Sequence, residues 1–165
     1  MPNFTPHPNP NPVSLRRATS VDIPRMRELE QQAETAAHWS TAQYDALFAD
    51  EEQARIAIIA VEEPDNVATQ GFLVARCVPD EWEIENVIVE ERHRRRGVGS
   101  SLVRELLAEA RNAGALSVIL EVRESNRPAR RLYENIGFRL EGRRKNYYQD
   151  PAEDALLYRT TITDL

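Results

Sequence analysis

Residues Glu85–Ala110 read "ENVIVEERHRRRGVGSSLVRELLAEA", and the parsing of this stretch decides the fold. Val87, Ile88 and Val89 are a β-branched run suited to a pleated strand. Arg92, Arg94, Arg95 and Arg96 follow, then Gly97-Val98-Gly99. From there Val98, Leu102, Val103, Leu106, Leu107 and Ala110 recur at helical spacing along one face. A strand that enters a helix through a glycine turn is an anion-binding device. The first helical N–H groups lack partners, and the helix dipole is positive there. Gly97 and Gly99 keep side chains off the backbone where a phosphate would approach. Arg94, Arg95 and Arg96 add bidentate donors around the mouth. "GVGSSL" is neither a Walker loop, which needs Gly-Lys-Ser/Thr, nor a dinucleotide fingerprint, which needs a third glycine.

The whole chain narrows the ligand. It has 165 residues and a formal net charge of -6, so a polyphosphate would be repelled by the molecule at large and no nucleic-acid partner is expected. A local excess of arginine suits a small anionic ligand better. Cys77 is the one cysteine, which excludes a disulfide within the chain and reads as a buried structural thiol. His7, His38 and His93 lack ligand spacing, so no metal is expected. No apolar run approaches the ~18 residues of a membrane span. The start, "MPNFTPHPNPNP", has neither a basic nor an apolar signal region. The expected address is therefore the cytoplasm. Prolines 2, 6, 8, 10 and 12 make residues 1–12 a disordered lead, which leaves 13–165 as a single domain.

Working outward, "VSLRRA" from Val13 predicts a short strand. Thr19 or Ser20 then caps a helix to about Ala36, with Ile23, Met26, Leu29 and Ala33 on one face. Ser40–Gln43 forms a capping box that opens a second helix. "RIAIIAVE", "GFLVARCV" and "EWEIENVIVEE" predict an antiparallel meander punctuated by Pro64-Asp65-Asn66 and Pro79-Asp80. The helix after Gly97 stops at Gly114. "LSVILEV", Leu116–Val122, predicts a central strand covered on both faces. A helix from Asn126 to Gly137 and two tail strands complete an α/β fold with a mixed sheet.

Three segments carry a family resemblance. The opening stretch resembles the acetyl-CoA-binding core of the GNAT superfamily of N-acetyltransferases, whose Gln/Arg-x-x-Gly-x-Gly/Ala signature is met by Arg94, Gly97 and Gly99. "ILEVRESNRPARRLYENIGF" is similar to the second half of that core. "RRKNYY" and "ALLYRTTI", with His38-Trp39-Ser40 in place of a common Pro-Trp-Ser, resemble the RimI-type branch that acetylates a ribosomal protein's N-terminal amine. The resemblance implies a largely antiparallel sheet with splayed central strands, helices on both faces, and acetyl-CoA as cosubstrate. It implies that the pyrophosphate rests on Arg94, Arg95, Arg96, Gly97, Val98, Gly99 and Ser100, and that the pantetheine pairs with Val87, Ile88 and Val89 and meets Asn126.

It also implies the chemistry. An α-amine, pKa about 7.7–8.0, is roughly a tenth neutral near pH 7, whereas lysine is neutral roughly once in a few thousand. A weak carboxylate base therefore suffices for a terminal amine. Two compete. Glu121, in an otherwise apolar strand, matches the base of the RimI-type enzymes. Glu83 matches the base of the histone-acetylating branch. Each also has a bland reading: Glu121 as the partner of a neighbouring arginine, Glu83 as strand-face solubility alongside Glu81 and Glu85. Tyr133 matches the acid that protonates the departing thiolate. The N–H near Ile88 or Val89 would meet the oxyanion, with no covalent step through Cys77. Tyr147 and Tyr148 would line the acceptor site, and the acidic total would favour a basic peptide. A small-molecule amine is the alternative acceptor. A non-catalytic acyl-CoA sensor is the alternative of another class, opposed by the presence of both Glu121 and Tyr133.

Overall fold

The structure, a computed structural model, describes residues 13–34, 38–49, 55–62 and 68–164. The proline-rich lead, His7, Ala36 and the expected turn at Pro64-Asp65-Asn66 lie outside them. In chain order the elements are β1 (Val13–Arg17), α1 (Ile23–Gln31), α2 (Thr41–Ala49), β2 (Arg55–Glu62), β3 (Thr69–Cys77), β4 (Glu81–Val89), α3 (Val98–Asn112), β5 (Ser117–Arg123), α4 (Arg127–Ile136), β6 (Arg139–Gln149) and β7 (Ala152–Thr161). Among the described residues these strands form one seven-stranded sheet, ordered β1-β2-β3-β4-β5-β7-β6. Every neighbouring pair is antiparallel except β4–β5.

The capping chemistry explains the helix starts. Gln43 N donates to Ser40 Oγ at 3.3 Å, and Ser40 N donates to Gln43 Oε1 at 2.8 Å, which is the capping box read from sequence. Before α1, a single 3-10 turn precedes the α-helix, and Asp22 accepts from Thr19 N at 2.8 Å and pairs with Arg16. Gly97 precedes α3 at φ 83, in the left-handed region where a Cβ is penalised, and Gly137 closes α4 at φ 112.

Two cores flank the sheet. On one face α3 and α4 cover Ile58, Leu73, Trp82, Ile84, Val118 and Leu120. On the other, α1 and α2 cover Ile59, Phe72, Val74 and Ile88. Helices on both faces are therefore present, but not along the whole sheet. The sequence suggested that β5 is covered twice; the structure corrects this. Val118, Leu120 and Val122 lie in the first core, while Ile119, Glu121 and Arg123 are only partly buried on the second face, beyond the reach of α1 and α2. The continuous apolar run misled because Ile119 is only partly buried and belongs to neither packed core.

β4 governs the geometry of the groove. It pairs with β5 only through Glu81↔Ser117 to Ile84↔Leu120. Beyond Ile84 the two strands separate, leaving a cleft between them. The register against β3 shifts between Val74 and Ala75, so Glu85 and Asn86 together oppose Val74 as a β-bulge. Trp82 and Ile84 thus face the first core, whereas Asn86 and Ile88 face the second.

Candidate active site

The cleft's first wall is the β5-facing edge of β4. Glu90 N donates to Gln70 O at 2.8 Å, one step beyond the Gly71↔Val89 pair. In an antiparallel ladder hydrogen-bonded pairs alternate, so Ile88 is bonded to Phe72 while Val87 and Val89 turn their N–H and C=O groups away from β3, into the cleft. Of the three residues singled out in sequence, two thus present backbone groups to a ligand, and Ile88 fills the second core instead. The Arg94 Nε donates to Val89 O at 3.1 Å, independent support for the outward direction of that carbonyl.

The turn into α3 forms the mouth. Arg94, Arg95, Arg96 and Gly97 are exposed, and Arg95 has φ 60. The two glycines serve different ends. A Cβ on Gly97 would touch nothing within 4 Å, so the backbone angle requires glycine there. A Cβ on Gly99 would stand 2.7 Å from Leu132 Cδ1, so that glycine also gives room to the Leu132 side chain of α4 against α3. Val98 is buried in the first core and Ser100 is half-buried in the first turn of α3. Asn126 caps α4, its side chain accepting from Ala129 N at 3.3 Å. His93 is buried beside Glu90, whose carboxylate Arg92 and Arg25 also contact.

The second wall is made of side chains. Glu121, on β5, is 17% exposed and bonds Arg144 Nε of β6 at 3.0 Å, so the arginine partner anticipated as its bland reading is present. Arg144 also lies over the Tyr147 ring at 5.4 Å, and Arg123 lies over Tyr148 at 4.0 Å. Tyr147 and Tyr148 meet edge to face, with centroids 5.2 Å apart. The Glu121 charge, followed by burial and a hydrogen bond to Glu121, raises the Tyr147 phenol above its ordinary value. Burial, followed by the Glu121 charge, does the same for Tyr148. Tyr133, on α4, is buried with its ring against Phe138, and burial and then the nearness of Tyr148 push its phenol well up. It therefore stays protonated through the neutral range. The structure thus gathers Glu121, Tyr133, Tyr147 and Tyr148 from β5, α4 and β6.

Glu83, on β4, is paired with Arg76 of β3, and its charge also reaches Tyr147, where it adds the smallest contribution to the raised phenol. The other carboxylates on this face are matched too: Glu81 with Arg159, Glu85 with Arg55, and Glu121 with Arg144. Sequence reading missed Arg123 and Arg144; Arg144 stands three residues before Tyr147 in "GRRKNYY", which was the available signal, whereas Arg123 follows Glu121 by two on β5 and meets Tyr148 only through the fold. Cys77 is half-buried at the edge of the first core rather than fully enclosed, and burial pushes its thiol up to about 11. Among the described residues no group of three or more His, Cys, Asp or Glu is placed to hold a metal ion, and no helix is long and apolar enough to cross a membrane.

This geometry has counterparts. The sequence profile described as the acetyltransferase (GNAT) family matches residues 23–138. The [ribosomal protein bS18]-alanine N-acetyltransferase of Escherichia coli strain K12 is 32% identical over 146 residues, covering 87% of this chain and 94% of that protein. The protein of the same name from Haemophilus influenzae is 33% identical over 138 residues, covering 84% of this chain and 89% of that one. The crystal structure of the ribosomal-protein-S18-alanine N-acetyltransferase from Escherichia coli superposes with a TM-score of 0.77 at 27% identity, covering 91% of this chain and 94% of that one. Arabidopsis thaliana NAA60 in complex with acetyl-CoA shares the fold, with a TM-score of 0.81 at 20% identity, covering 92% of this chain and 99% of that one. A strand that splays from its parallel neighbour, a glycine turn into a helix, and a match across both put the chain in the GNAT family of acetyltransferases, with acetyl-CoA as cosubstrate.

Proposed function

We propose that the chain acetylates the α-amine of a protein N-terminus, a ribosomal protein's terminal alanine being the first candidate. The observation that carries this reading is the cluster of Glu121, Tyr147 and Tyr148 beside the splayed strands, in a chain matched almost end to end by ribosomal-protein alanine acetyltransferases. The two tyrosines offer flat apolar surface to a peptide terminus and hydroxyls to its backbone.

In this reading the Val87 and Val89 backbone pairs with the pantetheine arm, while Arg94, Arg95, Arg96 and the α3 N-terminus take the pyrophosphate. Asn126, at the head of α4, lies on the far side of the same arm. The neutral amine attacks the thioester carbon, and charge developing on the carbonyl oxygen is met by the Val89 N–H. The C–S bond then breaks. Glu121 takes the proton from the amine, directly or through water, and Tyr133 returns one to the leaving thiolate. A carboxylate held by Arg144 is a weak base, which matches an α-amine and not a lysine. Glu83 sits one strand away, where it can hold a water or the incoming amine.

The experiment is thiol release from acetyl-CoA, with the acetylated atom located by mass spectrometry. Acceptors are short peptides with free Ala, Ser or Met termini, the same peptides blocked at the α-amine, and small amines. Transfer confined to free α-amines is the expected result. Transfer to small amines alone would overturn the acceptor assignment and leave the acetyltransferase intact.

A further inference from the structure

The bulge in β4 is held by a contact outside the machinery above. Asn86 Nδ2 donates to Glu30 Oε1 at 2.8 Å, with Glu30 3% and Asn86 7% exposed. Both sit among Met26, Leu29, Leu47 and Ile88 in the second core, where an unpaired carboxylate is costly and a one-residue gain in apolar packing would be easy to make instead. The buried Tyr44 hydroxyl of α2 is turned toward Glu30 without closing a hydrogen bond to it.

Glu30 ends on the second face of the sheet, because α1 packs only there. Asn86 reaches that face only because the bulge puts Glu85 and Asn86 together opposite Val74. Were β4 to continue its alternation from Ile84 without the extra residue, Asn86 would turn toward the aliphatic core under α3 and Val87 and Val89 would turn away from it. The backbone groups offered to the cleft would change with them, since side-chain phase and ladder phase move together in a strand.

We infer that Glu30 is a positioning residue for coenzyme binding: through Asn86 it locks the bulge phase that turns the Val87 and Val89 N–H groups into the cleft. The inference rests on the reading of that β4 edge as the pantetheine's wall. It also ties α1, on the second face, to the β4 edge through one buried bond.

The test measures the Kd of coenzyme A by calorimetry, well below the Tm of each variant. Asn86→Asp sets two carboxylates against each other and is expected to weaken binding about tenfold or more. Glu30→Gln combined with Asn86→Asp restores one amide donor and one carboxylate with their places exchanged, and is expected to return affinity to within about threefold of the parent. A residue that only supported the core would lower Tm without this reciprocal rescue of affinity. Wild-type affinity in Asn86→Asp, or a double variant as weak as the single, overturns the inference. Should Asn86→Asp fail to fold, Glu30→Asp keeps the charge and shortens its reach by one methylene; unchanged coenzyme affinity there overturns it equally. Val89→Pro removes the cleft-facing N–H and isolates the underlying assumption. Normal binding by that variant overturns the wall assignment and this inference with it; weakened binding beside a normal Asn86→Asp overturns the inference alone.

Discussion

The two walls of the cleft are built from different materials. On the wall proposed for the coenzyme the groups offered are backbone: the outward N–H groups of Val87 and Val89, and a turn whose shape depends on Gly97 at φ 83. On the wall proposed for the acceptor they are side chains drawn from β5, α4 and β6, most of them held by an arginine: Glu121 and Tyr147 by Arg144, Tyr148 by Arg123. Backbone recognition tolerates wide change in side chains as long as strand phase and turn angles persist. Side-chain recognition changes with each substitution. One wall therefore suits a constant cosubstrate, the other an acceptor that differs between enzymes of one fold.

If this division is right, substitutions on the two walls should separate in kinetics. The largest effect belongs to Tyr133→Phe, which removes the proton donor and should lower kcat about 100-fold or more, with little change in the KM for acetyl-CoA. A fall in coenzyme affinity instead would move Tyr133 from chemistry to packing. Its raised phenol pKa carries a sign that can be checked. The acid is the protonated form, so a pKa above the ordinary ~10 extends the active range upward. The pH–rate profile should climb as an α-amine deprotonates, around pH 7.7–8.0, and then hold a plateau with no loss from Tyr133 up to about pH 10. An acidic shift of that alkaline limb would contradict the burial seen here.

Glu121→Gln comes next, with an expected loss of about 30- to 100-fold in kcat for a peptide acceptor. Glu83→Gln should cost less than about tenfold, because Glu83 is engaged a strand away from the tyrosines. The reverse ranking would pass the base to Glu83. On the other wall, Gly97→Ala forces a Cβ into a left-handed angle at about 1 kcal/mol, and should raise the KM for acetyl-CoA about fivefold while sparing the acceptor's. An effect on the acceptor alone would erase the distinction between the walls. The smallest expected change is from Cys77→Ala, within about twofold in all parameters, because a thiol pushed up to about 11 and set at the core's edge is a poor nucleophile. An acetyl-enzyme trapped on Cys77 would replace direct transfer by a two-step route.

The legibility of these features followed their range along the chain. Local capping residues predicted α2 from Ser40 and Gln43, and the glycine turn predicted the start of α3. The first helix closes at Gln31, short of the expected Ala36: Gln32 N still donates four residues back to Glu28 O, but Ala33 N donates three back to Glu30 O in a tighter turn. Net charge counts residues and does not show pairing: Glu81, Glu83, Glu85 and Glu121 each find an arginine on another strand. The contact that Leu132 makes at Gly99 was not legible, since Leu132 comes from an element more than thirty positions away.

The sequence by itself determined the order of elements, the largely antiparallel sheet and the glycine turn into α3, because periodicity, caps and glycine angles act over a few residues. Only the tertiary structure decided where β4 leaves β5, which of Val87, Ile88 and Val89 open to the cleft, and which arginine meets Glu121. Those depend on register between strands, and a single extra residue in β4, opposite Val74, resets every side chain that follows it.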